Sequence, residues 1–146
     1  MAKFAYKMQN ILDIKLKMED QAKTAFATAM AALNLEEERM QNLKDRKQQY
    51  EDEGRVLRSD AMDILKLKEN TAAIENLKQQ IEEQALRVRQ AQTVVEKARE
   101  KLKDAMVERK IQEKLKENAF EEFKKELNAA ESKEVDELVS YRHGRK

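Results

Sequence analysis

The sequence predicts an all-α fold: a long two-helix antiparallel coiled-coil hairpin with a C-terminal helical overhang. Three observations carry this expectation. The 146 residues contain no proline and only two glycines, Gly54 and Gly144, so little interrupts a helix. Charged and hydrophobic residues each make up 40% of the chain while aromatics are only 5%. That is the balance of long helices with an apolar stripe, and neither a compact globule nor a disordered chain. Apolar residues also recur in steps of three and four along most of the length, the beat of a helix packing on another helix.

A single domain over residues 1–146 follows, with a first helix at about 4–52, a turn at about 53–60, a second helix at about 61–140 and a basic tail at 141–146. In the first helix Met8, Ile11, Met18, Ala22, Ala25, Ala29 and Ala32 form one row, interrupted by Lys15. Leu12, Phe26, Met30 and Leu33 widen it, and the pattern resumes one residue out of phase at Met40, Leu43, Lys47 and Tyr50. A seam with a flank is the mark of helix–helix packing. The turn is expected around Gly54, because glycine reaches the left-handed conformation that ends helices. Ser59 or Asp60 is then the capping residue of the next helix, with Asp63 favourable in its first turn.

The second helix keeps a stricter beat. Ile74, Leu77, Ile81, Gln84, Val88, Ala91, Val95, Ala98, Leu102 and Ala105 follow the 3-4 spacing with one polar member, Gln84. A heptad this long with charges at the other positions is a coiled-coil signal. Glu19 with Lys23, Glu83 with Arg87 and Glu121 with Lys125 are four residues apart and add about a few tenths of a kcal/mol each on the solvated face.

The alanine-rich stretches set a register. If facing residues sum to about 120, Ala22 meets Ala98, Ala29 meets Ala91, Leu43 meets Leu77 and Met18 meets Leu102. Glu36 then faces Gln84, a polar layer able to fix the register. The same arithmetic leaves everything beyond about residue 118 as an overhang of roughly 40 Å at 1.5 Å per residue. Its stripe of Phe120, Phe123, Leu127, Ala130, Val135, Leu138 and Val139 is then expected to meet another protein.

Lys plus Arg number 30 against 29 for Asp plus Glu, so the one-sided basic excess of a nucleic-acid binder is missing. No cysteine is present, which fits a reducing compartment. The first residues hold no apolar stretch of signal-peptide length, and no segment approaches the roughly 20 apolar residues of a spanning helix. A cytoplasmic protein without direct membrane insertion is expected. The lone histidine, His143, lies in the basic tail, no phosphate-cradling glycine loop exists, and the carboxylates lie on helix faces without a pocket. The chain therefore reads as a protein that grips other proteins, with no catalytic residue, metal site or cofactor.

Particular segments carry more than composition does. Phe4-x-Tyr6-x-Met8-Gln9-x-x-Leu12-Asp13-Ile14-Lys15 resembles the start of the flagellar FliJ proteins. Leu43…Tyr50, Leu77-x-x-x-Ile81-x-x-Gln84, Glu108-Arg109-Lys110…Glu113-Lys114-Leu115 and Lys133-Glu134-x-Asp136-Glu137 also look like that family. The resemblance spans essentially the whole chain. It implies a soluble component of the bacterial flagellar type III protein export apparatus, needed for flagellum biogenesis and so for motility and chemotaxis. Such a protein folds as an antiparallel coiled coil similar to the central stalk of rotary ATPases.

The partners so implied are the flagellar export ATPase ring, the cytoplasmic domain of the membrane export gate, and the export chaperones that the protein escorts. The implied location is cytoplasmic, peripheral on the cytoplasmic side of the cell membrane at the flagellar base. By the same resemblance Phe120, Phe123 and Leu127 are the ATPase-binding residues, and Leu43, Tyr50, Leu77 and Gln84 the gate-binding ones. The chain departs from some members at Ala73, where they carry an aromatic, and at Arg46, where they carry a second tyrosine. The alternatives are the equivalent rod of a virulence type III secretion system and a structural parallel-dimer coiled coil.

Overall fold

The computed structural model describes residues 2–59 and 63–144. It holds two helices, α1 (Gln9–Ser59) and α2 (Ile64–Gly144), and no strand among the described residues. They pack antiparallel as an all-α helical hairpin: Glu36 meets Gln84 and, further along α1, Tyr50 meets Asn70. The packing divides into two units, Ala22–Leu102 and Met1–Gln21 with Lys103–Lys146.

Within Ala22–Leu102 the α1 seam is Ala22, Phe26, Ala29, Leu33, Glu36, Met40, Leu43, Lys47, Tyr50, Gly54 and Leu57, all buried or half-buried. The steps alternate four and three without a slip. The α2 seam is Leu67, Asn70, Ile74, Leu77, Ile81, Gln84, Val88, Ala91, Val95, Ala98 and Leu102, which follows the expected row and extends it back to Leu67. Ala29, Leu77 and Val95 are the most deeply buried apolar members, and burying a Leu or Val side chain stabilises by about 1.5–3 kcal/mol. The guanidinium of Arg99 lies 5.8 Å from the centre of the Phe26 ring.

The phase expected for the first half of α1 is corrected. Met8, Ile11 and Met18 are 40%, 37% and 44% exposed, and Ala25 and Ala32 are exposed as well. The beat of Met40, Leu43, Lys47 and Tyr50 in fact runs backward unbroken through Leu33, Ala29, Phe26 and Ala22. Glu36 occupies a seam position, and a count of apolar residues alone drifts onto its neighbours.

The expected turn at 53–60 is also displaced. α1 runs through Gly54 to Ser59, and no described glycine has positive φ. Gly54 is a packing glycine: a Cβ there would stand 2.7 Å from Asn70 Oδ1. Asn70 occupies that space and donates its amide to the Tyr50 carbonyl at 2.7 Å. Ser59 caps nothing, its hydroxyl donating back to the Val56 carbonyl at 2.9 Å. Asp60 lies outside the described residues. The capping residue is Asp63, whose Oδ1 accepts from the backbone amides of Leu65 and Lys66 at 3.0 and 3.3 Å, the geometry of an N-cap. At its other end α2 continues through Tyr141, Arg142 and His143 to Gly144, so the basic tail is helical to that point.

In the second unit the chain enters without helix. Residues 2–8 are irregular, and α1 starts when the Gln9 amide donates to the Tyr6 carbonyl at 3.1 Å. Leu12, Lys15 and Glu19 face Ala105, Arg109, Gln112, Lys116, Ala119 and Phe123 on the same 3-4 beat. From Lys124 to Gly144 every residue of α2 is exposed, which makes this stretch the overhang.

Candidate interaction surfaces

Phe120 and Phe123 do not stand alone on the overhang as expected. The Phe4 ring packs edge-on against Phe120 with centroids 5.1 Å apart and tilted against Phe123 at 5.5 Å. Two rings in water are costly, and residues 2–8 give up helix to bring a third ring onto them. Phe120 remains 38% exposed, with the Lys124 ammonium 4.7 Å from its ring centre. A groove of about 460 Å³ lies here, lined by Phe4, Leu12, Glu113, Lys116, Glu117 and Phe120. Leu127, one turn beyond Phe123, is 37% exposed. The aromatic cluster is thus made by both ends of the chain, and the overhang proper begins after it.

Charged residues take the seam beside this cluster. Glu19 is 6% exposed and accepts from Arg109 Nε, while Arg109 Nη1 donates to Glu113 at 2.8 Å. The hydrogen bond to Glu19, with a second to Glu113, holds the Arg109 guanidinium above its ordinary pKa. Lys15 pairs with Glu108 at 2.9 Å. Sequence reasoning passed over these residues by seeking apolar members of the row. The visible signal was their 3-4 spacing from Leu12 and Ala105. On the outer face Glu121 meets Lys124 at 3.7 Å rather than Lys125, which lies 4.0 Å from Glu122.

The expected gate residues separate into two kinds. Leu43 and Tyr50 are half-buried. Leu77 and Gln84 are 3% and 5% exposed, so they hold the helices together and present almost no surface. Gln84 Nε2 donates to the Glu36 carbonyl at 2.9 Å and to the Glu36 carboxylate, which is the polar layer expected from the register. Beyond Tyr50, toward the hairpin connection, a groove of about 770 Å³ is lined by Tyr50, Val56, Leu57 and Ala73, with Asp52, Glu53, Lys66, Glu69 and Asn70 around them. An apolar floor with a charged rim is the make-up of a protein-binding patch. Arg46, at the position where an aromatic was absent, is exposed.

A third surface is the overhang itself, where Val135, Leu138, Val139 and Tyr141 are 57%, 63%, 48% and 58% exposed. Among the described residues no group of three or more His, Asp or Glu comes together as a metal site, and no helix is long and apolar enough to cross a membrane.

No curated protein sequence matches the chain. A solved structure, that of a Chlamydia trachomatis protein described as a homologue of YscO, shares the fold with a TM-score of 0.52 at 22% identity, covering 97% of this chain and 96% of that one. The family model described as "Flagellar FliJ protein" matches residues 4–146. The chain accordingly belongs to the flagellar FliJ family, and with it is a component associated with type III protein export.

Proposed function

We propose that the chain is a non-catalytic stalk within the ring of the flagellar export ATPase, joins that ring to the cytoplasmic domain of the membrane export gate, and escorts export chaperones. The observation that carries this reading is the family match over residues 4–146 on a helical hairpin that carries an apolar groove in Ala22–Leu102 and an aromatic cluster in the other unit. The ATPase-facing surface is assigned to Phe120, Phe123 and Leu127, joined by Phe4. The gate-facing surface is assigned to Leu43 and Tyr50 and the groove that follows Tyr50, with Leu77 and Gln84 fixing the helices that carry it. Near-equal numbers of acidic and basic residues suit contacts that hold a stalk without locking it, because exposed ion pairs are worth only about 0–1 kcal/mol. The place of action is the cytoplasmic face of the membrane at the flagellar base.

The test is a pulldown of the purified chain with the export ATPase and with the cytoplasmic domain of the gate. Phe120→Ala/Phe123→Ala should lose the ATPase and keep the gate. Leu43→Ala/Tyr50→Ala should do the reverse, with circular dichroism confirming that both variants stay helical. A wild-type chain that binds neither partner would sink the reading.

A further inference from the structure

We propose that residues 2–19 form a latch that opens away from α2 on its own, baring Phe120 and Phe123, while the packing of Ala22–Leu102 stays closed. Three independent observations point to it. First, residues 2–8 have no helix to hold them, and Phe4 against Phe120 and Phe123 is the aromatic contact that anchors them.

Second, the latch closes over polar atoms that it fails to satisfy. Tyr6 Oη and Gln112 Oε1 are buried and accept or donate no hydrogen bond. They are the two such side-chain atoms among the described residues, and both belong to this unit. A buried polar group without a partner loses its water and gains nothing, so opening returns both to solvent favourably.

Third, the seam under the latch is crowded with charged and polar members, Lys15, Glu19, Arg109, Gln112 and Lys116. Leu12 and Ala105 are its buried apolar residues, and Glu19 is buried beside them. Glu19 is paired across the helices with Arg109, as Asn70 and Gln84 are with α1 at 2.7 and 2.9 Å in Ala22–Leu102, so the unmet Tyr6 Oη and Gln112 Oε1 set this unit apart. A seam rich in polar members and holding unmet polar groups opens at lower free energy than the rest of a fold. The consequence is an aromatic surface with two states, covered by Phe4 or free, so any protein that binds the bared rings competes with the chain's own N-terminal segment.

The chain has no cysteine, so one introduced thiol reports opening at one place. Ala105→Cys and Ala29→Cys probe seam positions that are 9% and 5% exposed, one in each unit. Labelling of the folded full-length chain is expected to be at least about tenfold faster at Ala105→Cys than at Ala29→Cys, the mark of separate opening. Adding Tyr6→Phe/Gln112→Leu, which removes both unmet polar atoms, should slow labelling at Ala105→Cys severalfold and leave Ala29→Cys unchanged. Adding Phe4→Ala should speed Ala105→Cys alone. Equal rates at the two positions, parallel changes at both, or no slowing by Tyr6→Phe/Gln112→Leu would each overturn the latch.

Discussion

The side-chain amide of Gln84 reaches across the hairpin to the main-chain carbonyl of Glu36 at 2.9 Å and also meets the Glu36 carboxylate, in a seam that is mostly apolar. Both contacts require these two positions to be opposite each other, so the pair penalises any slip by a turn. Gln84→Ala should lower stability by about 1–3 kcal/mol, because the half-buried Glu36 carbonyl and carboxylate lose the Gln84 amide. Urea unfolding should show a lower midpoint with the slope unchanged. Gln84→Leu with Glu36→Leu should recover stability yet allow more than one register, seen as multiple cross-linked products from paired cysteines along the seam.

Gly54→Ala should run against the usual rule that alanine stabilises a helix by about 0.5–1 kcal/mol over glycine. The new methyl would stand 2.7 Å from Asn70 Oδ1, and Asn70 is 7% exposed and holds the Tyr50 carbonyl. Displacing it costs about 1–2 kcal/mol for the lost bond and the stranded amide. The thermal midpoint should fall. Gly144→Ala, with nothing within 4 Å of the new Cβ, should leave the midpoint unchanged.

Asp63→Ala should cost about 1 kcal/mol, because the Leu65 and Lys66 amides lose their acceptor at the start of α2. Asp63→Asn should retain most of that stability, since asparagine caps about as well. Equal losses in the two variants by chemical unfolding would mean that charge, not capping, matters there.

Arg109→Leu should destabilise the chain more than the double variant Glu19→Leu/Arg109→Leu. The single change strips Glu19, 6% exposed, of its guanidinium. The double change replaces a desolvated ion pair by an apolar layer. Urea midpoints should therefore rank the single variant lowest, with the double at or above wild type.

The candidate surfaces were legible in uneven measure. The α2 seam from Ile74 to Ala105 could be read directly, because its members are apolar with the single exception of Gln84. The Glu36–Gln84 layer followed from small residues facing small. The aromatic cluster was misread, since no local pattern links Phe4 to Phe120 and Phe123, more than a hundred residues away in sequence. Leu77 and Gln84, gate-binding by resemblance, are also members of the α2 seam, where they are 3% and 5% exposed.

By itself the sequence determined two long helices, their antiparallel pairing, the register near Gln84 and the family. These depend on periodicity and helix propensity, which act over a few turns and are written in every heptad. The tertiary structure decided where α1 ends, which face of its first half is buried, and what covers the phenylalanines. Gly54 is locally a helix breaker, yet the Asn70 side chain needs the space that glycine leaves, so the helix continues through it. Glu19 and Lys15 are locally solvent-facing residues, yet partners on α2 make them members of the seam. In each case a residue's own preference was overruled by a neighbour brought close only by folding.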